Sequence, residues 1–307
     1  LGSVMINGTA STSAVAGNVE AKKMSVNTTL EFSVVDFTSA SGSTNQVPHG
    51  LSGIPDLFIF KRYDATQDWY AYTQRIDGSL DYLILNGTDA KSDSSETVPT
   101  ATTVYQPTST GGRDYMLYSF KSVSGFSKID KYTGNGNASG PIVETGFKPA
   151  WLMVKRTDST SWWNIQDNKR NTSNPRINVL GANDASAEIN SSVYAINFYN
   201  NGFQIANSHN DWNASGSTYL YIAFAADPST TTPSLADSFA TELYTGNSST
   251  TQVTSGFRTD LVFIKARSAV NNWVAFDTVR GMVGDPSYRL VPSTTSVQSN
   301  WAPTAGI

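Results

Sequence analysis

The chain has no cysteine and only two histidines, His49 and His209. Without cysteine, neither a disulfide nor a thiolate metal site can hold the fold together. Neither histidine stands beside a nucleophile motif or a second metal ligand at helical spacing, so neither is predicted to be catalytic. Stability must therefore come from packing and assembly.

Charged residues are scarce as well, at 15% of the chain with a net charge of −4. The lysines and arginines are scattered singly and form no stripe that could follow a phosphate backbone, which excludes nucleic acid as a ligand. No apolar run approaches the roughly 20 residues of a membrane-spanning helix. The start, "LGSVMINGTASTSAV", lacks the basic and apolar regions of a signal peptide, so membrane insertion is not predicted.

Catalytic motifs are missing too. The chain has no G-x-S-x-G, no H-E-x-x-H and no glycine-rich phosphate loop. Glu144 and Glu188 are the one glutamate pair in the middle of the chain that could flank a glycosidic bond. The competing interpretation is a pair of solvated surface carboxylates, and no catalytic residue or cofactor is predicted.

What the chain does have is a threefold internal repeat. The blocks "PDLFIFKRYDATQDW", "PAWLMVKRTDSTSWW" and "TDLVFIKARSAVNNW" each place seven residues between a lysine and a tryptophan. These pairs are Lys61 and Trp69, Lys155 and Trp163, and Lys265 and Trp273. The matches need no gap, so the repeat predicts a shared local structure.

The repeat extends in both directions. An aromatic residue marks the same upstream position in each copy: Phe37, Tyr132 and Tyr244. Downstream, "RDYMLYSF" matches "STYLYIAF" and is predicted to be the closing strand of a module. In the third copy the same spacing puts this strand beyond residue 307, so we expect the third module to be incomplete and the chain to be part of a longer polypeptide.

The composition predicts an all-β fold. Apolar runs of four to eight residues bounded by Gly, Asn, Asp and Pro recur, and no long 3.6-residue period is present. The runs "LFIFK", "LMVK" and "VFIK" are apolar on both faces, as in a sandwich core. A repeat of roughly 100 residues fits tandem β-sandwich modules of the jelly-roll or lectin-like sort.

The repeat also sets the expected domain boundaries. Residues 1–30 are predicted to be a linker or the end of a preceding module, 31–124 the first module and 125–227 the second. Residues 228–307 are predicted to hold a linker and the incomplete third module.

Polar motifs in the repeats have structural and functional interpretations. The Asp-rich turns "RYDATQD", "DGSLD" and "NGTDAKSD" could bind Ca²⁺, although Asp also favours turns for its own hydrogen bonds. The recurrent lysine either faces a ligand or lays its stem along the tryptophan, and we favour the structural role. Asp167 and Asp277 stand three residues before Arg170 and Arg280, which predicts local ion pairs or turn contacts.

Aromatic residues in loops are the candidate contact residues. Trp162 and Trp163 cannot both point inward on a strand, so one of them is predicted to face outward. Trp212 in "SHNDWNASG" and Trp301 in "QSNWAP" also lie in predicted loops. We therefore take Trp162, Trp212 and Trp301 as candidates for glycan or partner contact, with packing between modules as the alternative.

Several separated blocks together resemble a known family. They include "GFSKIDKYTGNGNASGPIVETGFKPAWLMVKRTDSTSWWNIQDNKRNTSNP", "YLYIAFAADP", "YMLYSFKSVSGFSK" and "LVFIKARSA" with "FDTVRG". In this order they resemble the repeated module of large structural proteins of tailed bacteriophages, particularly marine ones, over nearly the entire chain. The first module departs from the pattern, with "FTSASGS" in place of "YTGNG" and Thr73 at the position of Asp167 and Asp277.

The resemblance implies a virion component: a tail fibre, appendage or capsid-surface protein on the outside of the particle. Its partners would be other virion proteins, further copies of itself in an oligomer such as a trimer, and a host-surface glycan. Two hypotheses remain after the sequence: a non-enzymatic structural protein that contributes to host attachment, and a carbohydrate-binding adhesin or polysaccharide depolymerase. The depolymerase predicts two acidic residues facing one groove.

Overall fold

A computed structural model gives the fold of the chain. It describes residues 4–6, 9–11, 17–19, 21–41, 44–106, 110–225, 239–249, 251–255, 257, 259–281 and 287–301. These residues form antiparallel sheets joined by turns, which confirms the predicted all-β, sandwich-type class. Helical structure among them is limited to one turn of α-helix, α1 (Asn210–Asn213), and a 3-10 turn at Ser192–Tyr194. No described helix has the length and apolar character needed to cross a membrane.

The first module contains one large and one small sheet. Its strands, with a preceding hairpin of β1 and β2, are β1 (Val4–Ile6), β2 (Thr9–Ser11), β3 (Ala21–Asn27), β4 (Phe32–Thr38), β5 (Asn45–Pro48), β6 (Leu57–Arg62), β7 (Tyr70–Thr73), β8 (Asp81–Ile84), β9 (Ser92–Asp93), β10 (Thr103–Gln106) and β11 (Asp114–Phe120). The large sheet has the order β3-β4-β11-β6-β7-β8-β9, and β5 pairs with β10. The strand β3, which precedes the predicted module start at residue 31, belongs to this sheet through its pairing with β4.

The second module repeats this plan. Its strands are β12 (Ser127–Thr133), β13 (Ile142–Glu144), β14 (Pro149–Arg156), β15 (Trp163–Asp167), β16 (Asn178–Gly181), β17 (Ile189–Asn190), β18 (Ile196–Tyr199), β19 (Gly202–Ile205) and β20 (Thr218–Ala225). The large sheet has the order β12-β20-β14-β15-β16-β17, and the small sheet the order β13-β19-β18. In both modules the downstream aromatic strand, β11 or β20, is an interior strand of the large sheet, with a neighbour on each side.

The third module has fewer described strands. They are β21 (Leu261–Ile264), β22 (Val274–Asp277), β23 (Ser287–Arg289) and β24 (Ser299–Trp301). β21 pairs with β22, β23 pairs with β24, and a bridge from Ala275 to Leu290 joins the two hairpins. By the lysine–tryptophan spacing, β21 and β22 correspond to β6 and β7 and to β14 and β15.

Each large sheet buries both of its faces, for two different reasons. In β6, Phe58 and Phe60 pack with Val47 and Val104 of the small sheet inside the first module. Residues of the opposite face join a core that all three modules share, called here the central core. Its largest contributors are Leu57, Ile59, Trp69, Met116, Tyr118, Ile129, Met153, Trp163, Leu180, Leu220, Ile222 and Leu290. The apolar runs on both strand faces therefore come from sandwich packing on one side and module packing on the other.

The three modules meet in a cyclic arrangement. The repeated lysine of each module donates a hydrogen bond to a backbone carbonyl of another, an interaction called here a lysine clasp. The three clasps are Lys61 Nζ to Thr295 O (3.0 Å), Lys155 Nζ to Thr88 O (3.1 Å) and Lys265 Nζ to Ala185 O (3.1 Å). The first module thus reaches the third, the second reaches the first and the third reaches the second, which closes a ring.

Backbone hydrogen bonds at matching positions flank every clasp. The amides of Gln67, Ser161 and Asn271, each six residues after a repeated lysine, donate to the same three carbonyls at 3.0, 2.8 and 2.9 Å. A return bond runs from Gln298 N to Tyr63 O, from Lys91 N to Thr157 O and from Glu188 N to Arg267 O, at 2.9, 2.7 and 2.8 Å. The repeat in the sequence is therefore a repeat of the junction between modules.

Candidate functional site

A groove of about 620 Å³ opens at one end of the second module. Loops after β12, around the 3-10 turn and between β19 and β20 form its walls. The lining combines polar and apolar surface in about equal parts, and includes Ser192, Val193, Asn207, Ser208, His209 and Asn210. Hydroxyl, amide and imidazole groups around a concave surface suit a ligand that is rich in hydroxyl groups.

Asn213, at the end of α1, fixes the loops around this groove. Its side chain is fully buried, and its Nδ2 donates to Asn135 Oδ1 (3.0 Å), Asn137 O (2.7 Å) and Asn207 O (2.8 Å). Its Oδ1 accepts from the backbone amide of Asn135 at 2.7 Å. One amide side chain therefore uses its donors and its acceptor to tie two loops together, which preorganises the groove.

His209, which lines the groove, contacts an aromatic ring. The rings of Tyr194 and His209 meet edge to face with their centroids 4.9 Å apart. His209 also caps α1, since its Nδ1 accepts from the amide of Asp211 at 3.2 Å. Beside this pair, the apolar side chain of Val193 is half exposed. The groove therefore presents an imidazole, an exposed apolar group and several amides on one surface.

Trp212 lies beneath the groove and does not face it. Its side chain is fully buried in the core of the second module, and Tyr132 Oη donates to its backbone carbonyl at 2.7 Å. The prediction that Trp212 contacts a ligand is therefore wrong. The single turn of α1 directs the indole inward while its neighbours His209 and Asn210 line the groove, and sequence position alone could not separate these directions.

The other two tryptophan candidates have different positions. Trp163 is buried in the central core and its Nε1 donates to Ile84 O of the first module at 2.9 Å. Trp162 is half-buried beside Gly181. Trp301 belongs to β24, but its side chain lies outside the described residues. The groove therefore contains none of the tryptophan side chains that the structure describes.

The structure places Glu144 and Glu188 in different surroundings. Glu144 is exposed on β13 of the small sheet. Glu188 lies at the junction with the third module, where it accepts hydrogen bonds from Arg170 Nη1 (2.9 Å) and Arg267 Nη2 (2.7 Å). Two guanidinium groups thus hold the Glu188 carboxylate, which then serves to join two modules.

Three aspartates of the first module converge on a lysine. The carboxylates of Asp77, Asp81 and Asp93 lie 2.7, 2.7 and 2.6 Å from the ammonium of Lys91. The hydrogen bond from Lys91 lowers the pKa of Asp77, whereas burial raises the pKa of Asp81. These turns do bring carboxylates together, as a Ca²⁺ site would require, but an ammonium group lies among them.

Burial perturbs two of the repeated lysines strongly. Lys61 and Lys155 are fully buried, and desolvation lowers the pKa of each to about 8. Lys265 is half-buried, and burial lowers its pKa as well. Their ammonium groups donate to backbone carbonyls, including Gln67 O at 2.5 Å and Arg156 O at 2.8 Å. The clasps are therefore structural, as the favoured interpretation of the repeat proposed.

The predicted aspartate–arginine pairs are confirmed. Asp167 pairs with Arg170 and Asp277 with Arg280, all four side chains being buried. Asp277 Oδ2 also accepts a hydrogen bond from Tyr118 Oη of the first module at 3.0 Å. The motif therefore supports the junction rather than a reactive site.

His49 has a structural position too. It is fully buried in the first module, its Nδ1 accepts from the amide of Leu51 at 3.1 Å, and burial lowers its pKa. His49 therefore holds a turn from a buried position in the first module.

Comparison with known proteins gives a family and no function. Neither the curated proteins nor the solved structures contain a match. A family model described as "Domain of unknown function (DUF7483)" matches residues 5–228 and 234–301. Since the match covers nearly the whole chain, all three modules included, the protein belongs to the DUF7483 family.

Proposed function

We propose that this protein is a non-enzymatic structural component of a phage virion surface, such as a tail fibre, appendage or capsid-surface protein, and that its second module contributes to host attachment by binding a surface glycan. The phage context is supported by the resemblance of its sequence blocks to virion modules. The observation that carries the structural role is the closed ring of modules joined by three lysine clasps.

The ring is suited to a load-bearing part. Each junction combines the ammonium group of a repeated lysine, two backbone hydrogen bonds and a share of the central core. All three modules make these contacts, whereas their polar loops differ. The ring is therefore a stiff frame that carries variable loops. A surface protein of a particle needs both properties.

The groove is the part that contacts a ligand in this proposal. Asn213 holds its loops before any ligand binds, which reduces the ordering cost of binding. Its lining of Ser, Asn and His side chains with a half-exposed Val193 matches the alternating polar and apolar surface of a sugar. The groove lining favours a carbohydrate-binding adhesin. A depolymerase is less favoured, because two arginines bind Glu188, one of its two candidate carboxylates.

Localisation on the particle tests the structural part of the proposal. Antibodies raised against the purified chain are applied to intact virions, and bound antibody is imaged by cryo-electron microscopy. We expect label at regular positions on a fibre, an appendage or the head surface. Label confined to infected-cell lysate and absent from purified particles would overturn the virion assignment.

A matched pair of variants tests the groove. Val193→Asp places a charge in the groove, and Val270→Asp places one at an exposed position of the third module. We expect the unmodified chain and Val270→Asp to bind the same members of a glycan array, and Val193→Asp to lose them. Equal binding by both variants, or release of shortened sugars from the array, would contradict the proposal.

A further inference from the structure

A cluster of three carboxylates in the first module holds more negative charge than its neighbours neutralise. Asp77 lies in the turn before β8, and Asp81 and Asp93 stand directly opposite each other on β8 and β9. One oxygen from each carboxylate lies within 4.8 Å of the other two. Among the described residues, the salt bridges of all three go to Lys91. One ammonium group therefore leaves two of the three negative charges uncompensated.

Asp81 also has a buried oxygen without a partner. Its side chain is 0% exposed, and its Oδ1 accepts a hydrogen bond from Lys91 Nζ at 2.7 Å. Its Oδ2 accepts none from the described residues. The carboxylate faces that of Asp93, close enough for the two to share a proton when either is protonated. A buried carboxylate oxygen without a donor costs free energy, which a cation bound by both oxygens of Asp81 would recover.

The second module shows how the same position is satisfied without a cation. Asn178 and Asn190, opposite each other on β16 and β17, take the places of the two opposed aspartates. Asn190 donates to Asn178 Oδ1, and Asn178 donates to Glu188 Oε1 at 2.9 Å. Glu188 takes the place of Lys91, since the backbone amide of each makes the return bond to another module. The first module thus has carboxylates where the second has neutral amides that satisfy each other.

We propose that Asp77, Asp81 and Asp93 form a calcium site in which Ca²⁺ displaces the ammonium group of Lys91. The three carboxylates lie 2.7, 2.7 and 2.6 Å from the ammonium nitrogen. Ca²⁺ binds oxygen at about 2.3–2.6 Å, so they need to close by only roughly 0.3 Å, whereas Mg²⁺ at about 2.0–2.1 Å needs a larger shift. Asp77 and Asp93 are exposed, which lets water complete the coordination of the ion.

The lysine can leave the cluster without unfolding the chain around it. Its side chain is 24% exposed and reaches solvent. Its backbone amide donates to Thr157 O at 2.7 Å, and this hydrogen bond does not depend on the position of the ammonium group. The ammonium of Lys91 therefore serves as an exchangeable counterion.

The proposed site lies at the junction between the first and second modules. Lys91 N donates to Thr157 O on one side of the cluster. On the other side, Lys131 Nζ of the second module donates to the carbonyl of Ile76, the residue before Asp77, at 2.6 Å. An ion that joins the turn before β8 to β9 fixes both of these contacts. Calcium should therefore stabilise the junction as well as the first module.

A calcium titration tests the proposal directly. The 307-residue chain is freed of metal with a chelator, dialysed and titrated with CaCl₂ by isothermal titration calorimetry, with MgCl₂ titrated in parallel at the same ionic strength. We expect one calcium ion per chain with a dissociation constant of about 0.1–1 mM and weaker binding of magnesium. Saturating calcium should raise the midpoint of thermal unfolding, because the ion binds the folded chain.

Matched variants locate the site. The double variant Asp81→Asn, Asp93→Asn copies the amide pair of the second module, so we expect it to fold like the parent chain and to lose calcium binding. Lys91→Gln removes the competing ammonium group and should bind calcium at least about tenfold more tightly. The control Asp158→Asn removes an exposed carboxylate that pairs with Arg156, and it should bind calcium like the parent chain. Circular dichroism checks the fold of each variant.

Two results would overturn the proposal. If the parent chain binds no calcium, Lys91 is the permanent partner of the carboxylates, whether or not Lys91→Gln binds the ion. If the double variant binds calcium as well as the parent chain does, the ion binds elsewhere.

Discussion

The second and third modules share the same sequence pattern and differ in how much of it is buried. Lys155 is fully buried in its clasp, whereas Lys265 makes the equivalent clasp from a half-buried position. Leu152 and Val154 lie inside the second module's sandwich, against its small sheet. The blocks that recur in the sequence are thus enough to form the junction, and the sandwich core needs strands that lie much farther along the chain.

The two modules should therefore differ in how much they stabilise the ring. Residues at matched positions of the second and third modules make the same hydrogen bonds but bury different amounts of surface. Substituting both residues of a matched pair therefore separates the contribution of hydrogen bonding from that of burial.

The largest effect is expected at the repeated tryptophan. Trp163→Ala removes a fully buried indole from the central core and its hydrogen bond to Ile84 O, which should lower the free energy of unfolding by about 3–5 kcal/mol. Trp273→Ala should lower the free energy of unfolding clearly less, because Trp273 is only half-buried. Its Nε1 makes the equivalent hydrogen bond, to Gly181 O at 2.7 Å. Urea denaturation followed by circular dichroism measures both, and equal losses would contradict the proposed difference between the modules.

A smaller effect on stability is expected from deprotonation of the two buried lysines, whose pKa values are lowered in the folded chain. Lys61 and Lys155 have a pKa of about 8 in the folded chain, against an ordinary value of about 10.5, so the unfolded chain binds more protons between these values. Stability should therefore rise from pH 7.5 to 9.5, by on the order of 2 kcal/mol for each lysine. Above pH 10 tyrosine ionisation in the unfolded chain opposes this rise, since burial raises the pKa of Tyr118 and Tyr132.

The variant Lys155→Met isolates one of these contributions. It should remove about half of the rise in stability between pH 7.5 and 9.5. Lys265→Met, at the half-buried clasp, should remove less of this rise. Urea midpoints at the two pH values measure the slope. A slope that is unchanged in Lys155→Met would show that this lysine is not the titrating group.

The groove loops provide the next comparison. Asn213→Ala should lower the free energy of unfolding by about 1–3 kcal/mol, because it removes the hydrogen bond to the buried carbonyl of Asn207. Hydrogen exchange should accelerate in the loops at 135–141 and 206–213. Asn197→Ala, which removes a single 3.3 Å hydrogen bond to Gln204, is the control and should accelerate neither loop. Unchanged exchange in Asn213→Ala would mean that other contacts hold the groove.

The smallest effect is expected at the contact between the first and third modules. Tyr118→Phe removes the hydrogen bond to Asp277 and keeps the ring, so it should cost about 1–2 kcal/mol. The second module has Ile222 at the position of Tyr118, which shows that an apolar residue is accepted there. A loss as large as that of Trp163→Ala would indicate that Asp277 and Arg280 depend on the hydroxyl for their ion pair.

Most of the architecture could be predicted from periodicity, whereas the candidate site could not. The repeat located β6, β14 and β21 and their partners, because the lysine, the apolar run and the tryptophan all serve one junction. Trp212 was misplaced because burial depends on the direction of one helical turn. The lining of the groove comes from three loops that are distant in sequence, and Asn213, which joins two of them, lies in a polar run with no distinctive spacing.

The sequence by itself determined that the chain is built from three all-β modules with a repeated lysine and tryptophan, since strand patterns and short-range spacing are local properties. Only the tertiary structure decided that these residues join the modules into a ring, because the partner carbonyls at Thr88, Ala185 and Thr295 have no side-chain signature. It also decided which aromatic residues are covered: burial is fixed by strands that arrive from elsewhere in the chain, as the contrast between Tyr132 and Tyr244 shows.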